Sequence, residues 1–254
     1  MAARHTGRRR RRGGSGILFK LLSFFVILAA LIIGCIIFFR VDEIRVVGSD
    51  YYSDEQIIAA SGVEKGDNLF LIQKVPTARR ILRQLPYVKS VRPYWQLPDT
   101  QIFQVVDCTP AAIIQGQDGT WWLMDEDGKL LERGGEDWIG QYAQVKGLTP
   151  LMPSVGENIA VSVEENGKRL ALKEILSALK DRDMTAQAGD IDLSGTTEII
   201  MSYEGRFRVR LPMYSEDFHR LIHILEEIAL YLDEGQVGTV DLTGSRARFI
   251  PEQS

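Results

Sequence analysis

The sequence predicts an α+β protein with a single N-terminal transmembrane helix, a small β-α-α-β-β unit beside the membrane and a larger mixed-sheet β domain with flanking helices. Three observations predict it. A stretch of 19 residues, Leu21 to Phe39, carries no charge. Beyond it, short runs of period-two alternation are broken by stretches of helical periodicity. Charge is also split along the chain: eight of the 30 basic residues and none of the 34 acidic ones lie in the first 40, so the remainder carries 22 basic against 34 acidic, a net −12. With 45% hydrophobic and 25% charged residues in 254, a collagenous, low-complexity or wholly disordered chain is excluded. The expected parts are a basic cytoplasmic tail (1–20), the span (21–39), the small unit (41–109), the larger domain (110–251) and a short tail (252–254).

LLSFFVILAALIIGCIIFF, as a helix rising about 1.5 Å per residue, nearly crosses a hydrocarbon core of roughly 30 Å. Arg8, Arg9, Arg10, Arg11 and Arg12 just before it are the topology signal of the positive-inside rule, keeping the N-terminus in the cytoplasm and sending the rest outside. A cleaved leader has an apolar region of about 7–15 residues followed by small residues, whereas Ile36 to Phe39 continue this run. The same four residues argue against lipidation at Cys35. Five adjacent guanidinia also suit a polyanion, but beside a span they are read as topology and anionic-lipid contacts, not a nucleic-acid site.

In the small unit, Asp42 to Gly48 alternates and stops at glycine, a strand and turn signature. Ser53-Asp54-Glu55-Gln56 is a capping box opening a short helix to Gly62. Pro76 sits in a first helical turn, and Ala78, Ile81, Leu82 and Leu85 follow at helical spacing until Pro86. Val88 to Trp95 and Gln101 to Val106 are strands joined by a turn at Leu97-Pro98-Asp99-Thr100. In the larger domain, Ala112 to Gln115, Trp121 to Met124 and Lys129 to Leu131 form a three-strand meander. Its second turn, Asp125-Glu126-Asp127-Gly128, lacks the oxygen spacing of a calcium loop and is expected to be a solvated hairpin tip. Glu164 to Arg182 is a helix with Leu172, Ile175, Leu176 and Leu179 on one face. Strands follow at Ile191 to Ser194, Glu198 to Tyr203 and Arg206 to Leu211, with Glu204-Gly205 as a tight turn. Phe218, Leu221, Ile222, Leu225, Ile228, Ala229 and Leu232 mark a second long helix, and a hairpin of Val237 to Leu242 with Arg246 to Ile250 closes the domain.

Val41 to Gly48, Leu85-Pro86-Tyr87-Val88-Lys89-Ser90-Val91-Arg92 and Leu97-Pro98-Asp99-Thr100 resemble the POTRA domain of the FtsQ/DivIB cell-division proteins. The resemblance continues through Pro110 and Ala112, the Met124-Asp125-Glu126-Asp127-Gly128 hairpin, Ile191-Asp192-Leu193 and Val240-Asp241-Leu242. The chain departs from the family pattern where Cys108 replaces a basic residue and where Thr243-Gly244 follows Asp241-Leu242. The resemblance implies a noncatalytic bitopic scaffold of the cell (inner or plasma) membrane, enriched at the division septum. It further implies partners of the FtsB/DivIC and FtsL type, through which septal peptidoglycan synthesis is controlled. A POTRA protein of polypeptide transport or chaperoning is the alternative, although no barrel-like series of strands follows.

For chemistry the sequence offers little. His219 and His223 are spaced i,i+4, but Arg220 stands where a zinc protease helix needs a glutamate, and the pair falls beside the apolar stripe near Glu226 and Glu227. No nucleophile elbow, phosphate loop or cysteine zinc set occurs, so catalytic, cofactor and metal residues are expected to be none, and an anchored hydrolase is the least favoured reading. The candidate binding element is the last strand, Ser245, Arg246, Ala247, Arg248, Phe249 and Ile250. As a sheet edge it would receive a partner segment by β-augmentation, Arg246 and Arg248 facing an acidic partner and Ala247 and Phe249 the other way.

Overall fold

The computed structural model describes residues 15–233 and 235–252. The expected tail with Arg8 to Arg12 lies outside them, as do the last two residues. Among the described residues one helix, α1 (Ser15–Phe38), is long and apolar enough to cross a membrane, with none of its Leu18–Cys35 window buried against the protein. It begins six residues before the uncharged stretch, because the apolar run continues through Ile17, Leu18 and Phe19 on the other side of Lys20.

The first sheet follows directly. It comprises β1 (Glu43–Val47), α2 (Asp54–Ser61), α3 (Lys74–Gln84), β2 (Val88–Gln96) and β3 (Thr100–Asp107), with strand order β1-β3-β2. The expected β-α-α-β-β order is present. β1 runs parallel to β3, and β2 is antiparallel to it. Ser53 accepts from the amide of Gln56, whose side chain accepts from the amide of Ser53, and Gly62 ends α2 in the left-handed region at φ 65°. Both helices pack on one face through Ile57, Ala60 and Ile81 against Val88, Phe103 and Val105.

The second sheet has nine strands. They are β4 (Pro110–Gln115), β5 (Trp121–Asp125), β6 (Leu130–Gly134), β7 (Ala143–Lys146), β8 (Ala188–Asp192), β9 (Glu198–Tyr203), β10 (Phe207–Pro212), β11 (Gly238–Asp241) and β12 (Arg248–Pro251). Their spatial order is β12-β11-β10-β9-β8-β7-β4-β5-β6. The helices α4 (Asn166–Lys180) and α5 (Phe218–Tyr231) cover one face, burying Leu172, Ile175, Ile222 and Leu225 against Ile191, Met201 and Val209. The expected meander is β4-β5-β6, antiparallel throughout. Glu204 and Gly205, both left-handed at φ 53° and 65°, turn β9 into β10 through a three-residue connection that ends at Arg206.

Three expectations need correction. First, β7 lies in a segment read as an irregular connection; it pairs parallel with β4 on one side and β8 on the other, and joins what would be two sheets into one. Second, the acidic turn Asp125-Glu126-Asp127 is not solvated: Asp125 and Glu126 are 1% and 3% exposed. Third, the closing hairpin is shorter than expected. β12 starts at Arg248, so Ser245 and Arg246 precede it in an exposed bend and Ala247 as an exposed residue outside the strand, and Ala247 does not share the inward face with Phe249.

Candidate functional site

β12 is one edge of the nine-stranded sheet. It pairs antiparallel with β11, Asp241 opposite Arg248, Val240 opposite Phe249 and Thr239 opposite Ile250. The amide of Glu252 donates to the Val237 carbonyl at 3.0 Å. That bond sets the phase of the ladder: residues 248, 250 and 252 point their backbone groups at β11, and the N–H and C=O of Phe249 point away from the sheet. Pro251 shares that outward phase and offers a carbonyl but no N–H, so the outward row of donors ends there.

Side chains alternate across the strand. The Phe249 ring turns inward, perpendicular to Phe207 with centroids 6.0 Å apart. It lies over Gly238, where an added Cβ would meet the ring at 2.9 Å and the Ile250 carbonyl at 2.3 Å. Glycine is therefore required for the edge strand to close down. Arg248 and Ile250 point outward. Beside Ile250, the uncovered face of the sheet holds an open depression of about 540 Å3 lined by Lys146, Asp190, Arg208, Thr239 and Glu252.

Charge on this face is more balanced than the two arginines suggest. Arg210 reaches Glu198 at 2.7 Å and Asp241 at 3.0 Å. Hydrogen bonds from the Thr243 hydroxyl and amide hold the Asp241 carboxyl below its ordinary range, with Arg210 and Arg248 adding to the effect. Arg248 thus stands opposite an ionised Asp241, and Arg246 lies outside the strand. An incoming segment meets one outward arginine and one outward isoleucine, not a basic ridge.

A second cluster, missed in the sequence, joins the two sheets. The Tyr87 hydroxyl donates to Glu132 at 2.8 Å, and Lys129 donates to the Val88 carbonyl at 2.8 Å. Lys89 of β2 bonds Glu126 and lies 2.8 Å from Asp127. From α4, Lys180 bonds the same Glu126 oxygen, and Lys173 lies 3.1 Å from Asp127. Burial pushes the Glu126 carboxyl up, and hydrogen bonds from Lys180 and Lys89 outweigh it, so Glu126 ends below its ordinary value. Asp127 is lowered too, by Lys89 first and also by Lys173. Tyr87, Cys108 and Leu131 pack as a small apolar patch alongside. The signal available beforehand was Lys173 and Lys180, two turns apart on one helix face, facing a turn of three carboxylates.

His219 and His223 are about half exposed, as their place beside the apolar stripe implied. His223 lies 3.5 Å from Glu226 and 3.6 Å from Glu227, while His219 lies 3.6 Å from Asp181. Among the described residues no group of three His, Cys, Asp or Glu side chains is arranged to hold a metal ion.

Residues 39–106 match the family model described as POTRA domain, FtsQ-type. The chain is 31% identical over 108 residues to the cell division protein FtsQ of Corynebacterium glutamicum, covering 41% of this chain and 48% of that protein. It is 32% identical over 117 residues to the cell division protein DivIB of Brevibacillus brevis, covering 44% of each. It is 25% identical over 157 residues to DivIB of Clostridium acetobutylicum, covering 62% of this chain and 61% of that protein. The chain thus spans about half the length of the curated relatives it matches. The resemblance to FtsQ/DivIB proteins read from the residues is borne out, and the first sheet with its two helices is a POTRA domain of that type.

Proposed function

We propose that this chain, a relative of FtsQ and DivIB, is a noncatalytic single-pass scaffold of the bacterial cell membrane. Its POTRA and β domains face outward, and it acts in division at the septum. It binds single-span partners of the FtsB/DivIC and FtsL type and through them helps control septal peptidoglycan synthesis. The observation that supports this most is the outward backbone of Phe249 on a sheet edge that no other strand among the described residues covers. An extended segment laid beside β12 gains main-chain hydrogen bonds there without any catalytic group. Its side chains would meet Arg248 and Ile250, so an acidic and an apolar residue two positions apart fit best.

The test is binding of the full chain in nanodiscs to the outer segment of the FtsB/DivIC-like protein of the same cell, comparing wild type with Phe249→Pro. Proline removes the outward donor and no ladder bond to β11, but it also takes the ring away from Phe207, so a circular-dichroism melt must first show that the fold survives. Binding lost at least about tenfold with an unchanged melt supports β12 as the site. Equal binding by both proteins moves the site elsewhere, and no binding by wild type removes the partner assignment.

A further inference from the structure

The span is joined to the POTRA domain without a linker. The Leu69 amide donates at 3.0 Å to the Phe39 carbonyl, just past the end of α1, and the Asn68 side chain adds a second, longer bond at 3.5 Å to the Cys35 carbonyl, which already accepts from the Phe39 amide at 3.1 Å. Val41 is fully buried; its amide donates to Asp67 and its carbonyl accepts from Gly66, both at 2.8 Å. The Asp42 amide donates to the Asp99 carbonyl at 2.9 Å, bringing the β2–β3 turn to the same end of the domain. Two loops, 66–71 and 97–99, are therefore bonded to the chain within a few residues of where it leaves the helix.

Those loops carry exposed apolar side chains. Phe70 is 48% exposed, Leu71 73% and Leu97 53%. Aromatic rings run on from the helix: Phe39 against Phe70 with centroids 4.9 Å apart, then Phe70 against Trp95 at 5.5 Å. The Lys74 ammonium sits 3.9 Å over the Trp95 ring. Aromatic rings and long basic side chains where a span meets water are the composition of the membrane interface. Two of the carboxylates at this end are engaged within the protein, Asp67 by the Glu64 amide at 3.0 Å and Asp99 by the Thr100 hydroxyl at 2.9 Å, while Asp42 and Glu64 are exposed.

We propose that this end of the POTRA domain is a lipid-docking surface, with Phe70, Leu71 and Leu97 seated at the headgroup–acyl boundary of the leaflet from which α1 emerges. Trp95 and Lys74 form its rim, the ammonium available to lipid phosphate. Phospholipid is the occupant because the surface is continuous with the span: bonded to the helix end, these residues cannot leave the bilayer surface without breaking the junction. The proposal rests on α1 crossing a membrane and not on the direction in which it crosses.

The test uses the full chain, with Cys35→Ala, reconstituted into vesicles of phosphatidylethanolamine and phosphatidylglycerol. An environment-sensitive fluorophore is placed at Leu71→Cys, at Leu97→Cys in a second protein, and at Ser245→Cys as a control on the distant edge. The labels at 71 and 97 are expected to emit further to the blue than the control, to be at least about threefold less open to aqueous iodide, and to be quenched by lipid carrying a shallow spin label. Iodide access equal to the control overturns the proposal, as does protection without lipid quenching, which would mean that protein covers the surface. A carbonate wash separates the two readings: release of the chain from the vesicles overturns the span itself, and docking with it.

Discussion

Glu126→Gln tests the buried junction between the two sheets most directly. The carboxylate is 3% exposed and accepts from two ammonium groups. Removing one partner of a fully buried ion pair costs about 3–5 kcal/mol, because the other charge is stranded. Here Lys89 and Lys180 keep 33% and 34% of their side chains exposed and regain water, so the loss should be smaller. About 2 kcal/mol is expected, which for a body of this size lowers the melting temperature by about 4–8 °C. The pH dependence has a definite sign. Glu126 is held below its ordinary value in the fold. Its contribution is therefore complete above the unfolded carboxylate's value, about 4.3, and is lost as pH falls through the lower folded value. The difference between variant and wild type should be full at pH 7 and shrink below about pH 4. Asp125, pushed up by burial, has the opposite sign, but it is common to both proteins and cancels in the difference. The assay is thermal unfolding followed by circular dichroism at pH 7 and pH 3. A melt within about 1 °C of wild type at pH 7, or a deficit unchanged at pH 3, would refute the reasoning.

Two further outcomes follow from the packing. Gly147 and Gly140 both have positive φ, 78° and 85°, but a Cβ at Gly147 would lie 2.2 Å from the Ser194 amide nitrogen, and one at Gly140 meets nothing. Alanine at 140 should cost about 1 kcal/mol of strain and at 147 at least about 3, read from urea midpoints; equal losses would show that the β7–β8 junction tolerates a side chain. Cys108 is buried and its thiol is pushed up to about 12, chiefly by burial with Asp125 adding to it. Aqueous maleimide at pH 7.5 should leave it unmodified in the native chain and label it after denaturation, and native labelling would contradict its burial.

The elements legible in the sequence are those whose signal is local. α2 announces itself through Ser53 and Gln56, the β9–β10 turn through Glu204-Gly205, and α5 through a stripe of apolar residues two turns long and more. β7 is illegible for the opposite reason. Its four residues are too few for a period, and both its partners are remote: Ala112 pairs with Ala143, and Ile191 with Val145. A parallel strand held between distant neighbours has no turn grammar of its own. The acidic turn misleads in another way. Three carboxylates in a hairpin ordinarily face water; here the amides of Asp127 and Lys129 hold Asp125, and Lys89 from one side and Lys180 from the other make the burial of Glu126 tolerable. For the candidate edge, alternation located Phe249 and Arg248, but strand length depends on where Asp241 and Thr243 turn the chain, and this excluded Ser245, Arg246 and Ala247.

The missed elements bear on function because they set how the candidate edge is held. Without β7, β4-β5-β6 and β8 through β12 would be separate sheets, free to shift. With it, the turn carrying Glu126 and the β12 edge belong to one sheet of nine strands, at opposite ends of the strand order. At about 4.8 Å per strand step the ladder spans roughly 38 Å when flat. The same body is tied to the POTRA domain by Lys89, Lys129 and Tyr87, and the POTRA domain is tied to α1 by Asn68 and Leu69. From membrane to edge, the junctions are made by bonded groups and not by a flexible linker. On the proposed function, a partner anchored in the same membrane thus meets β12 at a set height and orientation, and loosening Glu126 should weaken that registration without touching a residue of the edge.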